Sequence, residues 1–545
     1  MGRDNLFFAS VFIISLVVFF IWGYGYISSH HLIFFILASV FGIFMAFNIG
    51  GNDVANAFGT SVGAKTLTIK QALIIAAVFE LSGAVFAGAE VTNTIRSGIV
   101  ILPNNGDINP MVFAAVMLSA LMSSGIWLFV ATKKGLPVST THSIVGGIVG
   151  SGLMMGYLYY NDGNTLDMVK WSSIGSIALS WVLSPLMGGV IAYMVFGYIK
   201  SKIITPSMDL HTQIKAIKAQ KRAFKENYIN ELSSKSESEQ IQELKAIAMS
   251  YDERITGSGP FRDKIREFKG QEKLIDTMKY MRLHIPILAA VAAMIISSTL
   301  LFKGLKHMNL NFSTIETIWI LCVIGTVAYL LSFSIVNMMK RDNPQKGINR
   351  IFGWFQIFTA SSFAFSHGAN DIANAVGPFA AILDVLKSGT INSTTVIPTV
   401  AMVTFGVALV VGLWFLGKEV ITTVGSKLTE ILPTTGFSAE LAASIVILIA
   451  TKMGLPISST HVLIGAVLGI GLYNRNANWG MLKPIGLAWI ITLPIAMIGS
   501  AIGFVISVDA EFLKFMLFLL INRSSFELMF ISCILLFCYL HIFLC

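Results

Sequence analysis

Two groups of chemistry-bearing residues stand in this chain twice. Gly50-Gly51-Asn52-Asp53-Val54-Ala55-Asn56-Ala57 returns as Gly368-Ala369-Asn370-Asp371-Ile372-Ala373-Asn374-Ala375. Leu136-Pro137-Val138-Ser139-Thr140-Thr141-His142 returns as Leu455-Pro456-Ile457-Ser458-Ser459-Thr460-His461. The offsets nearly agree, 371 − 53 = 318 and 461 − 142 = 319. In the first motif a carboxylate and two amides interrupt apolar sequence with no Lys or Arg close by. On a helix Asn52 and Asn56 are four apart and Asp53 and Asn56 three apart, so the three share a face; so do Asn370, Asp371 and Asn374. Carboxylate and amide oxygens together suit a hard cation. A cluster of polar interhelical hydrogen bonds is the other use of such residues, and duplication at matched positions favours the cation. Asp53 and Asp371 are the charged ligands, for Na+ where sodium is the ion.

The second motif puts hydroxyls at a helix start. Pro137 and Pro456 suit the first helical position, which places Ser139, Thr140 and Thr141, and Ser458, Ser459 and Thr460, in the first turn. Free backbone N–H groups, the positive end of the helix dipole and three hydroxyls make an oxyanion cradle; simple N-capping is the plainer reading. His142 and His461 follow directly, as proton relays, as orienters of a hydroxyl or as core histidines. Glu80 lies deep in an apolar run, while Glu440 and the Glu90, Arg96 couple are further charges in or beside such runs, the last two read as partners near an interface. Gly146, Gly150, Gly465 and Gly469 read as a small-residue packing face.

These residues need helices in lipid to hold them. Of 545 residues 55% are hydrophobic and 12% charged, with mean hydropathy +0.74, against about 25% charged in soluble chains. Apolar runs of membrane-spanning length recur, so the fold class is an all-α polytopic membrane protein of about 12 transmembrane helices. Residues 6–27 read as a retained first helix, giving an extra N-terminal segment 1–30. The first membrane repeat is 31–199, the second 351–508, joined by connecting helices in 283–350. The apolar end, 509–545, reads as a last helix. Segments near 47–60, 132–142, 365–378 and 451–461 are expected as discontinuous helices or two re-entrant hairpins. The polar stretch Lys200–Arg282 carries 17 Lys and Arg against 12 Asp and Glu. It reads as a cytoplasmic loop, either a solvated linker with amphipathic helices or a regulatory domain. With Lys340–Arg350 also inside, the Asn-Asp motifs are approached from opposite faces, an inverted-topology repeat around a midplane site. The net charge of +9 fits positive cytoplasmic loops and calls for no nucleic acid. Four cysteines have no metal-ligand spacing. No phosphate-binding Gly-rich loop with Lys, nucleophile elbow or zinc motif occurs, which speaks against an enzyme.

At these motifs the chain resembles the inorganic phosphate transporter (PiT) family of ion-coupled symporters. The Gly-Ala-Asn-Asp-x-Ala-Asn-Ala signature is whole in the second half, whereas Gly51 replaces its alanine in the first. Phe79-Glu80, Thr94-Ile95-Arg96-x-Gly98 and Gly436-Phe437-x-x-Glu440-Leu441 match the family as well. The resemblance implies uptake of inorganic phosphate with Na+ or H+ across the plasma membrane, without a cofactor. It implies Asp53, Asn56, Asp371 and Asn374 as cation ligands, Ser139–Thr141 and Ser458–Thr460 as phosphate ligands, and Glu80 and Glu440 as transport-linked acids. A homodimer stays open. So do a sulfate or other oxyanion carrier on the same scaffold and a non-transporting receptor.

Overall fold

The computed structural model describes residues 3–28, 31–100, 109–159, 165–250, 260–303, 313–339, 343–391, 397–427, 431–477 and 479–508. The side chains of a few helical residues, Asn56 and Glu419 among them, lie outside the described residues, as does the apolar end 509–545 with Cys533, Cys538 and Cys545. Among the described residues there is no β-strand, only an isolated bridge between Val100 and Val169. The helices are α1 (Arg3–Tyr26), α2 (Leu32–Ile49), α3 (Ala55–Gly63), α4 (Ile69–Ala87), α5 (Ala89–Ser97), α6 (Pro110–Lys133), α7 (Thr140–Tyr159), α8 (Trp171–Ile199), α9 (Thr205–Leu232) and α10 (Glu237–Ser250). They continue with α11 (Pro260–Leu274), α12 (Lys279–Lys303), α13 (Thr314–Asn337), α14 (Pro344–Asp371), α15 (Ala373–Ser388), α16 (Thr399–Lys427), α17 (Pro433–Lys452), α18 (Ser459–Asn474) and α19 (Trp479–Val508).

Ten helical segments among the described residues are long and apolar enough to cross a membrane, and the chain is a multi-pass membrane protein. About twelve are expected from the sequence, and the last of these, in 509–545, lies outside the described residues. Helix α18 has 16 residues, about 24 Å at 1.5 Å per residue, short of the roughly 30 Å hydrocarbon core.

One compact unit takes in the described residues of Met1–Phe196, Ile295–Ile318 and Gly353–Cys545. Its helices approach closely where glycine removes a side chain. A Cβ on Gly83 of α4 would run into the Phe365 carbonyl of α14, and one on Gly368 into the Glu80 carbonyl of α4. In the same manner Gly412 of α16 faces the Phe47 carbonyl of α2, and Gly50 faces the Leu409 carbonyl of α16. Gly146 and Gly150 meet the carbonyls of Leu493 and Met497 on α19, while Gly465 and Gly469 meet those of Pro185 and Gly189 on α8. In lipid, where hydrophobic burial does not drive helix association, such backbone contact supplies dispersion that bulky side chains would prevent.

The other unit takes in the described residues of Gly197–Met294 and Trp319–Phe352. Phe261, Ile265 and Phe268 recur at helical spacing on α11 and are buried. Phe261 stacks on Phe224 of α9 at 5.8 Å, and Lys221 pairs with Glu272 at 3.1 Å. The polar stretch is therefore a packed set of amphipathic helices.

The crossing contacts generate a stability prediction. Gly412→Ala costs about 1–3 kcal/mol through overpacking, whereas Gly175→Ala, where nothing lies within 4 Å, is neutral or gains about 0.5–1 kcal/mol from helix propensity. Thermal unfolding midpoints in detergent check both; equal midpoints for the two variants would refute the packing argument.

Candidate functional site

The Asn-Asp motifs lie where helices change register. In the first half α2 passes into a π turn, Gly50–Val54, before α3; in the second half α14 ends at Asp371 and α15 starts at Ala373. The chain stays helical there, so the motif is a local distortion and not a gap. The hydroxyl motifs do form hairpins. Helix α6 ends at Lys133 and α17 at Lys452, and Gly135 and Gly454 then take positive φ of 64° and 68°, which glycine alone adopts without strain. The Leu136 and Leu455 N–H groups close back on the carbonyls of Ala131 and Ala450.

Asn52 and Asn370 secure those hairpins. The Asn52 amide donates to Thr132 Oγ1 at 3.0 Å and the Leu136 carbonyl at 2.9 Å, and its Oδ1 accepts from Val138 N–H. Asn370 repeats this with Thr451, the Leu455 carbonyl and Ile457 N–H. Each adjacent backbone is therefore extended and already bonded, which displaces the helix starts. Pro137 and Pro456 precede the helices instead of occupying their first positions, and Ser139 and Ser458 are the caps, accepting from the N–H groups of His142 and His461.

The remaining hydroxyls converge on the aspartates. Thr140 donates to Asp53 Oδ2 at 2.5 Å, Thr460 to Asp53 Oδ1 at 2.8 Å, and Ser459 to Asp371 Oδ2 at 2.7 Å. Thr141 donates to the Ile457 carbonyl, tying one hairpin to the other. Asn374 reaches Thr140 and Thr141. Asp53 thus binds hydroxyls from both hairpins, while Asp371 Oδ1 and Asn374 Oδ1 are buried acceptors with no hydrogen-bond donor.

Sequence analysis assigns no role to His367. It sits four residues before Asp371, a spacing that could have signalled it. Its Nδ1 lies 2.8 Å from Glu80 Oε2 and its Nε2 2.9 Å from Asp371 Oδ2. Ligating atoms of Asp53, His367 and Asp371 fall within 4.8 Å of one another, a set able to hold a cation. Glu80 joins this cluster. Glu440 stands elsewhere, accepting from Thr60, Ser61 and Gln356 on Oε1 and from Thr359 on Oε2. A Cβ on Gly436 would strike the Gln356 amide, which explains the glycine. Arg96 is paired with Asp384 of α15 at 3.0 Å, both buried, a partner that its neighbourhood in the chain did not indicate. His142 and His461 meet each other edge to face, centroids 4.6 Å apart, between Trp181 and Trp489.

A family model described as the phosphate transporter family matches residues 49–500. The chain belongs to the phosphate transporter family. It is 46% identical over 500 residues to a putative phosphate permease of Mycobacterium bovis, covering 90% of each chain. It is 34% identical over 460 residues to inorganic phosphate transporter 2-1, chloroplastic, of Arabidopsis thaliana, covering 84% of this chain and 69% of that one. A solved structure titled "The sodium-dependent phosphate transporter" superposes with TM-score 0.66 at 30% identity, covering 86% of this chain and 98% of that chain. These are permeases and transporters, and this family member is no enzyme.

In this transporter the Arg96–Asp384 pair is testable by itself. Removing one buried partner strands the other charge at about 3–5 kcal/mol. Arg96→Met should therefore melt well below the parent, and the double variant Arg96→Met, Asp384→Leu should recover most of the loss. A double variant as unstable as the single one contradicts the pairing.

Proposed function

We propose that the chain is a secondary symporter importing inorganic phosphate with Na+ across the plasma membrane, with 200–282 on the cytoplasmic side and the two halves as inverted repeats. The observation that carries the reading is the pair of donorless buried oxygens, Asp371 Oδ1 and Asn374 Oδ1, beside Asp53 and His367. Buried acceptors without donors are costly, and a hard cation removes that cost. Asp53, Asp371 and Asn374 would hold the cations, in keeping with the printed title of the superposed structure.

The cradle hydroxyls would bind phosphate. Thr140, Ser459 and Thr460 each have one proton, which they now give to a carboxylate. A cation on those carboxylates competes for the same oxygens and lets the hydroxyls turn to the anion. Cation and phosphate therefore favour each other's binding without touching. The charge requirement agrees: each net charge moved across the membrane is worth about 2.3 kcal/mol per 100 mV, so an anion entering a negative interior needs accompanying cations.

Proteoliposomes should take up labelled phosphate under an inward Na+ gradient and fall to background when choline replaces Na+. Asp53→Asn and Asp371→Asn should each abolish uptake, and tenfold excess sulfate should leave it within about a factor of two. Full uptake in choline at two pH values, or undiminished uptake in both variants, sinks the reading. Phosphate binding without accumulation would mark a receptor.

A further inference from the structure

The two halves are not equivalent at the cation cluster. Subtracting the repeat offset, 367 − 318 = 49, puts Ile49 at the position of His367. The crossed glycine contacts supply the other correspondence. Gly83 faces Phe365 and Gly368 faces Glu80, as Gly412 faces Phe47 and Gly50 faces Leu409. Phe365 and Gly368 are Phe47 and Gly50 shifted by 318, so Gly83 matches Gly412 and Glu80 matches Leu409, both by 329. The counterpart of the buried Glu80–His367 couple is thus Leu409–Ile49, an apolar couple, likewise buried.

The consequence falls on the aspartates. Asp371 Oδ2 accepts from Ser459 at 2.7 Å and lies 2.9 Å from His367 Nε2 in an ion-pair contact without hydrogen-bond geometry, while Oδ1 has no donor. Asp53 has no such brace; both of its oxygens take hydroxyl protons, one from each hairpin. A cation at Asp371 needs no bond broken, whereas one at Asp53 must displace or share hydroxyls whose position depends on the hairpins.

We propose that His367, anchored by Glu80, is a positioning residue that pre-forms the Asp371–Asn374 cation position, so that this position fills first and without phosphate, while the Asp53 position fills only with the hairpins engaged. This rests on the cation reading above and adds an order and an inequality to it. Imidazole braced by a carboxylate orients ligands in many cation sites, and its loss weakens affinity by about 10–100-fold.

The experiment uses the full chain purified in detergent. Thermal stabilisation is titrated with NaCl against choline chloride without phosphate, and uptake is then measured in proteoliposomes. The parent is stabilised by Na+ alone. Asp53→Asn keeps that stabilisation and Asp371→Asn loses it. His367→Leu raises half-saturating Na+ by about tenfold or more, and His367→Gln, whose amide can still donate, recovers part of the shift. Should His367→Leu not fold, Glu80→Gln must shift half-saturating Na+ in the same direction. Equal Na+ loss in both aspartate variants, or unchanged half-saturation in the His367 or Glu80 variants, overturns the proposed inequality and leaves the cation reading intact. Na+ stabilisation unaffected by either aspartate overturns the cation reading itself.

Discussion

The constraint behind this molecule is the removal of carboxylates from water in the middle of a bilayer protein. Asp53, Glu80 and Asp371 are all buried, and the imidazole of His367 is shared between two of them. Each ion withdrawn from water costs several kcal/mol even after relaxation. Hydroxyls from the hairpins meet part of that cost, as charge-assisted bonds of roughly 1.5–3 kcal/mol each. What remains is a cluster with more acid than base and with acceptors lacking donors, an arrangement that a positive charge completes.

Placement of the acids follows from the amides beside them. Asn52 and Asn370 each donate to a threonine hydroxyl and to a hairpin carbonyl, and each accepts from a hairpin N–H. Because each asparagine adjoins its aspartate, the hairpin and the carboxylate share one rigid attachment. The glycines at the helix crossings serve the same end. Backbone contact at Gly50, Gly83, Gly368 and Gly412 brings α2, α4, α14 and α16 close enough for an acid on one helix to reach an imidazole on another. Any larger residue at Gly83 or Gly368 would separate Glu80 from His367.

Much of this was legible in the chain because it is written twice. The duplicated motifs identified Asp53, Asp371 and the six hydroxyl residues, and the structure brings both aspartates together with Thr140, Ser459 and Thr460. Membrane class and helical content followed from the long apolar runs. His367, Asp384, Gln356 and Thr359 escaped notice for a common reason. Their significance comes from contacts made far along the chain, such as the separation of 287 positions between Glu80 and His367, and apart from the four-residue spacing of His367 from Asp371 no local pattern distinguishes them from ordinary polar residues in helices. Pro137 and Pro456 misplaced the helix starts because local preference for the first helical turn yields here to a tertiary bond, the asparagine clamp on Val138 and Ile457.

Duplication also conceals what matters most for direction. Two identical halves would bind two ions alike, and a symmetric cluster offers no reason for one event to precede another. At the cation cluster the chain departs from symmetry in a buried couple, where Leu409 and Ile49 stand opposite Glu80 and His367. An apolar couple there leaves its aspartate to the hairpin hydroxyls; the polar couple takes its aspartate partly out of the hairpins' control. On the proposed reading, coupling between cation and anion would reside mainly at Asp53, whose two oxygens hold a hydroxyl from each hairpin. On that reading a proton in such a hydroxyl would go to carboxylate or to phosphate, not both. The exchange of a few hydrogen bonds, each worth about 1–3 kcal/mol near a charge, lies within the usual 1–3 kcal/mol scale of coupling between two ligand sites, so no large rearrangement of the cradle is needed to make one ligand depend on the other.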